Sequence, residues 1–133
     1  MKTARILVVD DNPINLKLVS DLLAFEGHEI LHATDAEEAQ VILHETLPDL
    51  ILMDIALPGM DGLTLTRQLK ADGRTAHIRV VALTAFAMKG DEQKAFDAGC
   101  DGYITKPIDT RALPGQVAGI LALARGEETG EAL

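Results

Sequence analysis

A parallel β-sheet with helices on both faces is the fold class this sequence predicts, and three observations predict it. Short apolar or β-branched runs alternate five times with longer stretches of helical periodicity. The central runs, such as ILVV at 6–9 and LILM at 50–53, are apolar at every position, the mark of parallel strands covered on both sides. At 133 residues and 47% apolar, the chain is one domain's worth of sequence and long enough to bury a core.

The first strand is read over 5–10 (RILVVD) and the first helix over 12–27. Asn12 is the N-cap, Pro13 opens the helix and Gly27 stops it. Within it Ile14, Leu18 and Leu22 recur at i+4 beside Val19 and Leu23. EILHA at 29–33 is the second strand. The second helix, 35–45, starts at Asp35 with Glu38 three residues on, a capping-box pattern. LILMD at 50–54 is the third strand and 62–72 the third helix. RVVALT at 79–84 is the fourth strand, followed by a helix over 89–99 that closes at Gly99. GYITK at 102–106 is the fifth strand, and the last helix covers 110–125 with Leu113, Val117, Ile120, Leu121 and Ala124 on one stripe. Pro114 conflicts with a cap at Thr110, because proline past the first positions of a helix costs stability, so a kink or a late start is expected there. The domain is expected over 1–125, with 126–133 as a polar tail that frays.

Composition excludes several function classes. A net charge of −9 with no Lys/Arg cluster argues against binding a phosphate backbone, and 3% aromatic residues leave few platforms for stacking bases. There is no apolar run near 18 residues, so no membrane span is expected. The apolar stretch Ile6–Val9 runs at once into Asp10 and Asp11, unlike a secretory signal. Cys100 is the only cysteine; it cannot form an internal disulfide and reads as a small buried hydrophobe in a reducing cytoplasm. His28, His32, His44 and His77 fall on different elements with no i,i+4 pairing as on a zinc-binding helix, and read as surface or edge residues. Neither G-x-x-x-x-G-K-[ST] nor G-x-G-x-x-G occurs, and Ser20 has no glycine elbow.

The chemistry lies at the strand ends. In an open parallel sheet, ligands bind at the carboxyl ends of the strands. Those ends carry Asp10 and Asp11, Asp54, Thr84, and Lys106 followed by Pro107. Taken singly, each has a plain explanation: a helix cap, a strand threonine, a solvated lysine. Five polar groups at the same ends of four strands do not. Clustered carboxylates repel, and a hard divalent cation with oxygen ligands relieves the repulsion. Such an ion, the acids and a lysine make a site for a phosphoryl group, and a carboxylate can carry that group as an acyl phosphate. Asp54, at the end of the LILMD run, is the candidate nucleophile; Asp10 and Asp11 would hold the metal; Thr84 and Lys106 would take phosphoryl oxygens.

The motifs VVDDN at 8–12, LILMDIALPGMDG at 50–62, ALTAFAMKGD at 82–91 and YITKPID at 103–109 together resemble the receiver domain of two-component response regulators. The resemblance covers residues 5 to about 124 and is to stand-alone receivers of the chemotaxis and cell-cycle type, and also to receivers attached to hybrid kinases. It implies a flavodoxin-like sheet of order 2-1-3-4-5 with five helices. It also implies Mg²⁺- or Mn²⁺-dependent transfer of a phosphoryl group from a histidine kinase or histidine phosphotransfer protein onto Asp54. By the same likeness the backbone carbonyl of Ala56 is a metal ligand, Lys106–Pro107 is a cis peptide, and Thr84 and Tyr103 form a switch. The signal would leave through the face of the fourth helix, fifth strand and fifth helix to a downstream protein. FAMKGDE at 86–92 lies on that face. Where many receivers carry a polar or larger residue, the Ala56 methyl cannot orient or block an attacking water, and Arg79 opens the fourth strand where proline is frequent. With no DNA-binding or cyclase segment after residue 125, output by protein contact is expected, from a cytoplasmic monomer or weak homodimer.

Two rivals compete. Haloacid-dehalogenase-type phosphatases share the aspartate, threonine, lysine and acidic metal ligands, but need a second aspartate two residues after the nucleophile, where Ala56 stands. A receiver-like interaction module that is never phosphorylated would not need all five site residues.

Overall fold

The computed structural model describes residues 3–84 and 91–124. Strands β1 (Arg5–Val9), β2 (Glu29–Ala33), β3 (Leu50–Asp54), β4 (Arg79–Thr84) and β5 (Gly102–Thr105) alternate with helices α1 (Pro13–Phe25), α2 (Ala36–Glu45), α3 (Gly62–Ala71), α4 (Asp91–Asp97) and α5 (Leu113–Ala124). All four pairings are parallel, and the order is β2-β1-β3-β4-β5. Asp10 and Lys106 therefore fall one residue beyond their strands.

The period of two along each strand divides the core. Leu7, Val9, Ile51, Met53, Val80 and Ala82 face α2 and α3, where Ala39, Leu43 and Leu65 meet them. Ile6, Val8, Leu52, Val81, Leu83 and Ile104 face α1 and α5, where Val19, Leu23, Leu113, Val117 and Leu121 complete the opposite layer. β3 is buried at every residue, so covering both of its faces is what makes a continuous apolar run favourable. Each such side chain contributes about 1.5–3 kcal/mol by leaving water.

α1 shows where periodicity alone is ambiguous. Val19, Ser20 and Leu23 are buried, whereas Ile14 and Leu18 are 77% and 38% exposed. A row of i+4 steps drifts by about 40° per step around a helix of 3.6 residues per turn. The row that starts at Ile14 begins in solvent and reaches only a half-buried edge at Leu22.

The caps follow the predicted chemistry with two shifts. Asp35 Oδ1 accepts the Glu38 N–H at 2.8 Å, while Glu38 Oε1 reaches back to the Thr34 N–H at 2.7 Å. Before α5, Asp109 rather than Thr110 supplies the side-chain oxygen: Asp109 Oδ1 accepts the N–H groups of Arg111 and Ala112 in the turn that leads into the helix. The helix begins late, at Leu113, which leaves Pro114 in a first turn whose N–H groups need no helical partner. His28 is not a surface histidine; it is buried, and its Nδ1 accepts the Ala4 N–H at 3.0 Å. His32, His44 and His77 are exposed. Cys100 is buried, as a small hydrophobe should be, and burial pushes its thiol above the ordinary range. The expected start of the fourth helix at 89–90, most of FAMKGDE and the 126–133 tail lie outside the described residues.

Candidate phosphoryl site

The carboxyl ends of β1 and β3 are neighbours in the sheet, so Asp10 and Asp54 meet at one rim. Asp10 is fully buried. Its own N–H continues the sheet by donating to the Ala33 carbonyl at 3.1 Å, and its Oδ1 accepts the Asn12 N–H at 2.9 Å. Asp54 is 4% exposed; its Oδ1 accepts the Ala56 N–H at 3.0 Å. Asp11 is exposed, yet carboxylate oxygens of Asp10, Asp11 and Asp54 lie within 4.8 Å of one another.

Lys106 closes the rim from the far side. Its Nζ donates to Asp54 Oδ2 at 3.0 Å and forms an ion pair with Asp10 Oδ2 at 3.1 Å. The Lys106–Pro107 peptide is cis. Thr84 ends β4, buried, and its carbonyl accepts the Lys106 N–H at 2.7 Å. Tyr103, half-buried on β5, pairs in register with Ala82 and packs on the α2/α3 side of the core. All the strand-end residues named from the sequence therefore gather at one rim, with Tyr103 further back along β5. The backbone partners that hold the carboxylates, Asn12 and Ala56, carry no side-chain signal that sequence reading could use for this role.

The electrostatics are unbalanced in one direction. Burial raises the Asp10 carboxyl above the ordinary aspartate range, against the Asn12 N–H and Lys106, and the nearby Asp54 charge adds to the rise. Burial alone would lower Lys106, but its hydrogen bond to Asp54 and the Asp10 pair outweigh that and raise it, so it stays an ammonium. Among the described residues, the Lys106 ammonium thus faces the carboxyl groups of Asp10, Asp11 and Asp54. Asp10 Oδ2 has the Lys106 ammonium at 3.1 Å but shares it with Asp54 Oδ2 at 3.0 Å. A buried carboxylate oxygen that shares its ammonium with a neighbouring acid, in an all-oxygen donor set, fits a hard divalent cation.

The model of the response regulator receiver domain matches residues 6–118. The chain belongs to this family. As a receiver domain it is 47% identical over 106 residues to the polar-differentiation response regulator DivK of Brucella ovis, spanning 80% of this chain and 86% of that one. The DivK of Brucella anthropi is 48% identical over 103 residues, spanning 77% and 84%. Among solved structures, a response regulator from Chloroflexus aurantiacus superimposes with a TM-score of 0.86 at 31% identity, covering 91% of this chain and 99% of its own. A CheY-like receiver domain protein from Methanospirillum hungatei does so with a TM-score of 0.86 at 29% identity, covering 95% and 99%. The protein is a phosphorylation-dependent signalling receiver. No helix among the described residues of the receiver is long and apolar enough to cross a membrane.

Proposed function

We propose that Asp54 is the phosphoacceptor and takes its phosphoryl group from a phosphohistidine of a histidine kinase or histidine phosphotransfer protein. The observation that carries this reading is the clamp on Asp54, with Oδ1 held by the Ala56 N–H and Oδ2 by Lys106 Nζ, at a rim shared with two more carboxylates. In the transfer a carboxylate oxygen of Asp54 forms the new O–P bond as the P–N bond of the donor breaks. The imidazole nitrogen leaves with the bond's electron pair, and solvent supplies any proton it gains. Lys106 would pair with one phosphoryl oxygen and Thr84 would donate to another. Asp10, Asp11, Asp54 and the Ala56 carbonyl would hold Mg²⁺, or Mn²⁺ in its place. When bound, the ion neutralises the carboxylates and the phosphoryl oxygens and aligns them.

The new charge would then draw Thr84 toward the phosphoryl group and let Tyr103 move inward, biasing two existing states of the receiver. The signal would leave through the α4/β5/α5 face to a downstream protein. A groove of about 420 Å³ there, lined by Glu92, Tyr103, Thr105, Asp109 and Gln116 among others, supports that choice. The chain would have no activity beyond its own phosphorylation and dephosphorylation. It would work in the cytoplasm, where a lone thiol such as Cys100 stays reduced, as a monomer or weak homodimer. The phosphatase alternative is disfavoured because Ala56 offers no proton donor for a leaving alcohol.

Incubation of the full chain with Mg²⁺ and acetyl phosphate tests the reading. Intact mass is expected to rise by one phosphoryl group; Asp54→Asn, or removal of Mg²⁺ by a chelator, abolishes the rise. Steady phosphate release from phosphomonoesters with no stoichiometric adduct would overturn it in favour of the phosphatase.

A further inference from the structure

The oxygen clamp on Asp54 depends on a loop, 55–61, that must keep its shape without a helix or strand of its own. Gly62, the first residue of α3, lies against the peptide of Asp54. A Cβ there would collide with the Asp54 carbonyl oxygen and come within 3.0 Å of its carbonyl carbon and 2.9 Å of Met53 Cγ. These neighbours are mainly backbone, which cannot swing aside as a long side chain would. The Gly62 N–H donates to the Ile55 carbonyl at 3.0 Å and so ties the two ends of the loop together. The Gly62 carbonyl in turn accepts Thr66 Oγ1 at 2.8 Å, and Thr66 is fully buried. A threonine inside a helix that bonds back four residues tends to bend the helix, so the Thr66 hydroxyl bears on the angle at which the first turn of α3 meets the loop.

We propose that Gly62 and Thr66 are positioning residues for the phosphoryl site. They seat the first turn of α3 on the Asp54 backbone and so hold the loop that presents the Ala56 N–H, 3.0 Å from Asp54 Oδ1, and the Ala56 carbonyl beside it. The inference rests on reading Asp54 as the phosphoacceptor. Neither residue touches the phosphoryl group; they act through the Asp54 and Ala56 peptides. A methyl at position 62 forces α3 and β3 apart, and loss of the Thr66 hydroxyl leaves a buried carbonyl short of one donor and the turn less firmly held. Shifts of this kind matter because oxygen ligands and an in-line acceptor tolerate little displacement.

The test uses the full chain, metal-free, titrated calorimetrically with Mg²⁺ and then labelled with acetyl phosphate. Gly62→Ala and Thr66→Val are each expected to weaken Mg²⁺ binding by about tenfold and to slow labelling, as loss of a supporting contact around a metal does. Thr66→Ser, which keeps the hydroxyl, restores both. Gly99→Ala is the control for lost stability: Gly99 has φ +107°, and a Cβ would meet Lys70 Cγ at 2.8 Å, remote from the site. That variant melts earlier but binds Mg²⁺ like the parent. Should Gly62→Ala fail to fold, the Thr66 pair decides. If the parent binds and labels while Thr66→Val does both equally well, the positioning role is refuted and the phosphoacceptor reading survives. A parent that neither binds Mg²⁺ nor labels sinks that reading, and this one with it.

Discussion

Asp10 shows how one side chain can oppose the stability of the metal-free fold while serving the site. Its carboxyl is raised by burial, and its Oδ2 shares the Lys106 ammonium with Asp54. Asp10→Asn keeps an oxygen for the Asn12 N–H and removes a buried charge. It is therefore expected to melt at a higher temperature than the parent in chelator, by about 1 kcal/mol of stability. The same variant should gain little from added Mg²⁺. Thermal melts with and without the ion check both; equal stabilisation of variant and parent by Mg²⁺ would remove Asp10 from the ligand set. Cys100 makes a simpler case. Its thiol is raised by burial, so the folded state holds that proton more tightly than the unfolded chain. The sign is then fixed: the stability it adds is whole below the ordinary thiol range and fades as pH climbs through it. Iodoacetamide at pH 8 should label Cys100 slowly in the native receiver and quickly in urea, as read by mass; rapid native labelling would contradict the burial.

At the scale of the element, the two faces of α1 separate what helical periodicity cannot. Leu23 is fully buried, so Leu23→Ala should cost about 2–5 kcal/mol, whereas Ile14→Ala, at a 77% exposed position, should stay within about 0.5 kcal/mol. Urea denaturation of the two variants gives the comparison, and equal losses would refute the assigned face. The start of α2 is held by the reciprocal bonds of Asp35 and Glu38. Asp35→Ala is expected to cost about 1 kcal/mol in the same assay. Both effects are local, so neither substitution should change Mg²⁺ binding at the rim.

For the whole molecule, the rim couples folding to the ion. Mg²⁺ that binds only the folded chain stabilises it by mass action, so at 100 times its dissociation constant it should add about 2.7 kcal/mol, and a chelator should reverse the gain. A denaturation curve that does not move with Mg²⁺ would count against the site. Much of this was legible beforehand. The five β–α repeats, the five strand-end groups and the late start at Pro114 all followed from composition, spacing and proline geometry. The buried His28, the Asp109 turn before the last helix and the solvent-facing Ile14 did not. Each depends on which neighbour comes close in space, and a linear pattern carries no such distance.

The amino-acid sequence by itself determined the class of fold, the family and the chemical set at the rim, because period, capping and residue type are local properties. Only the tertiary structure decided that one lysine serves both Asp10 and Asp54, and that Gly62 lies too near the Asp54 peptide to carry a side chain. Those are distances between residues far apart in the chain, set by how parallel strands and their helices pack.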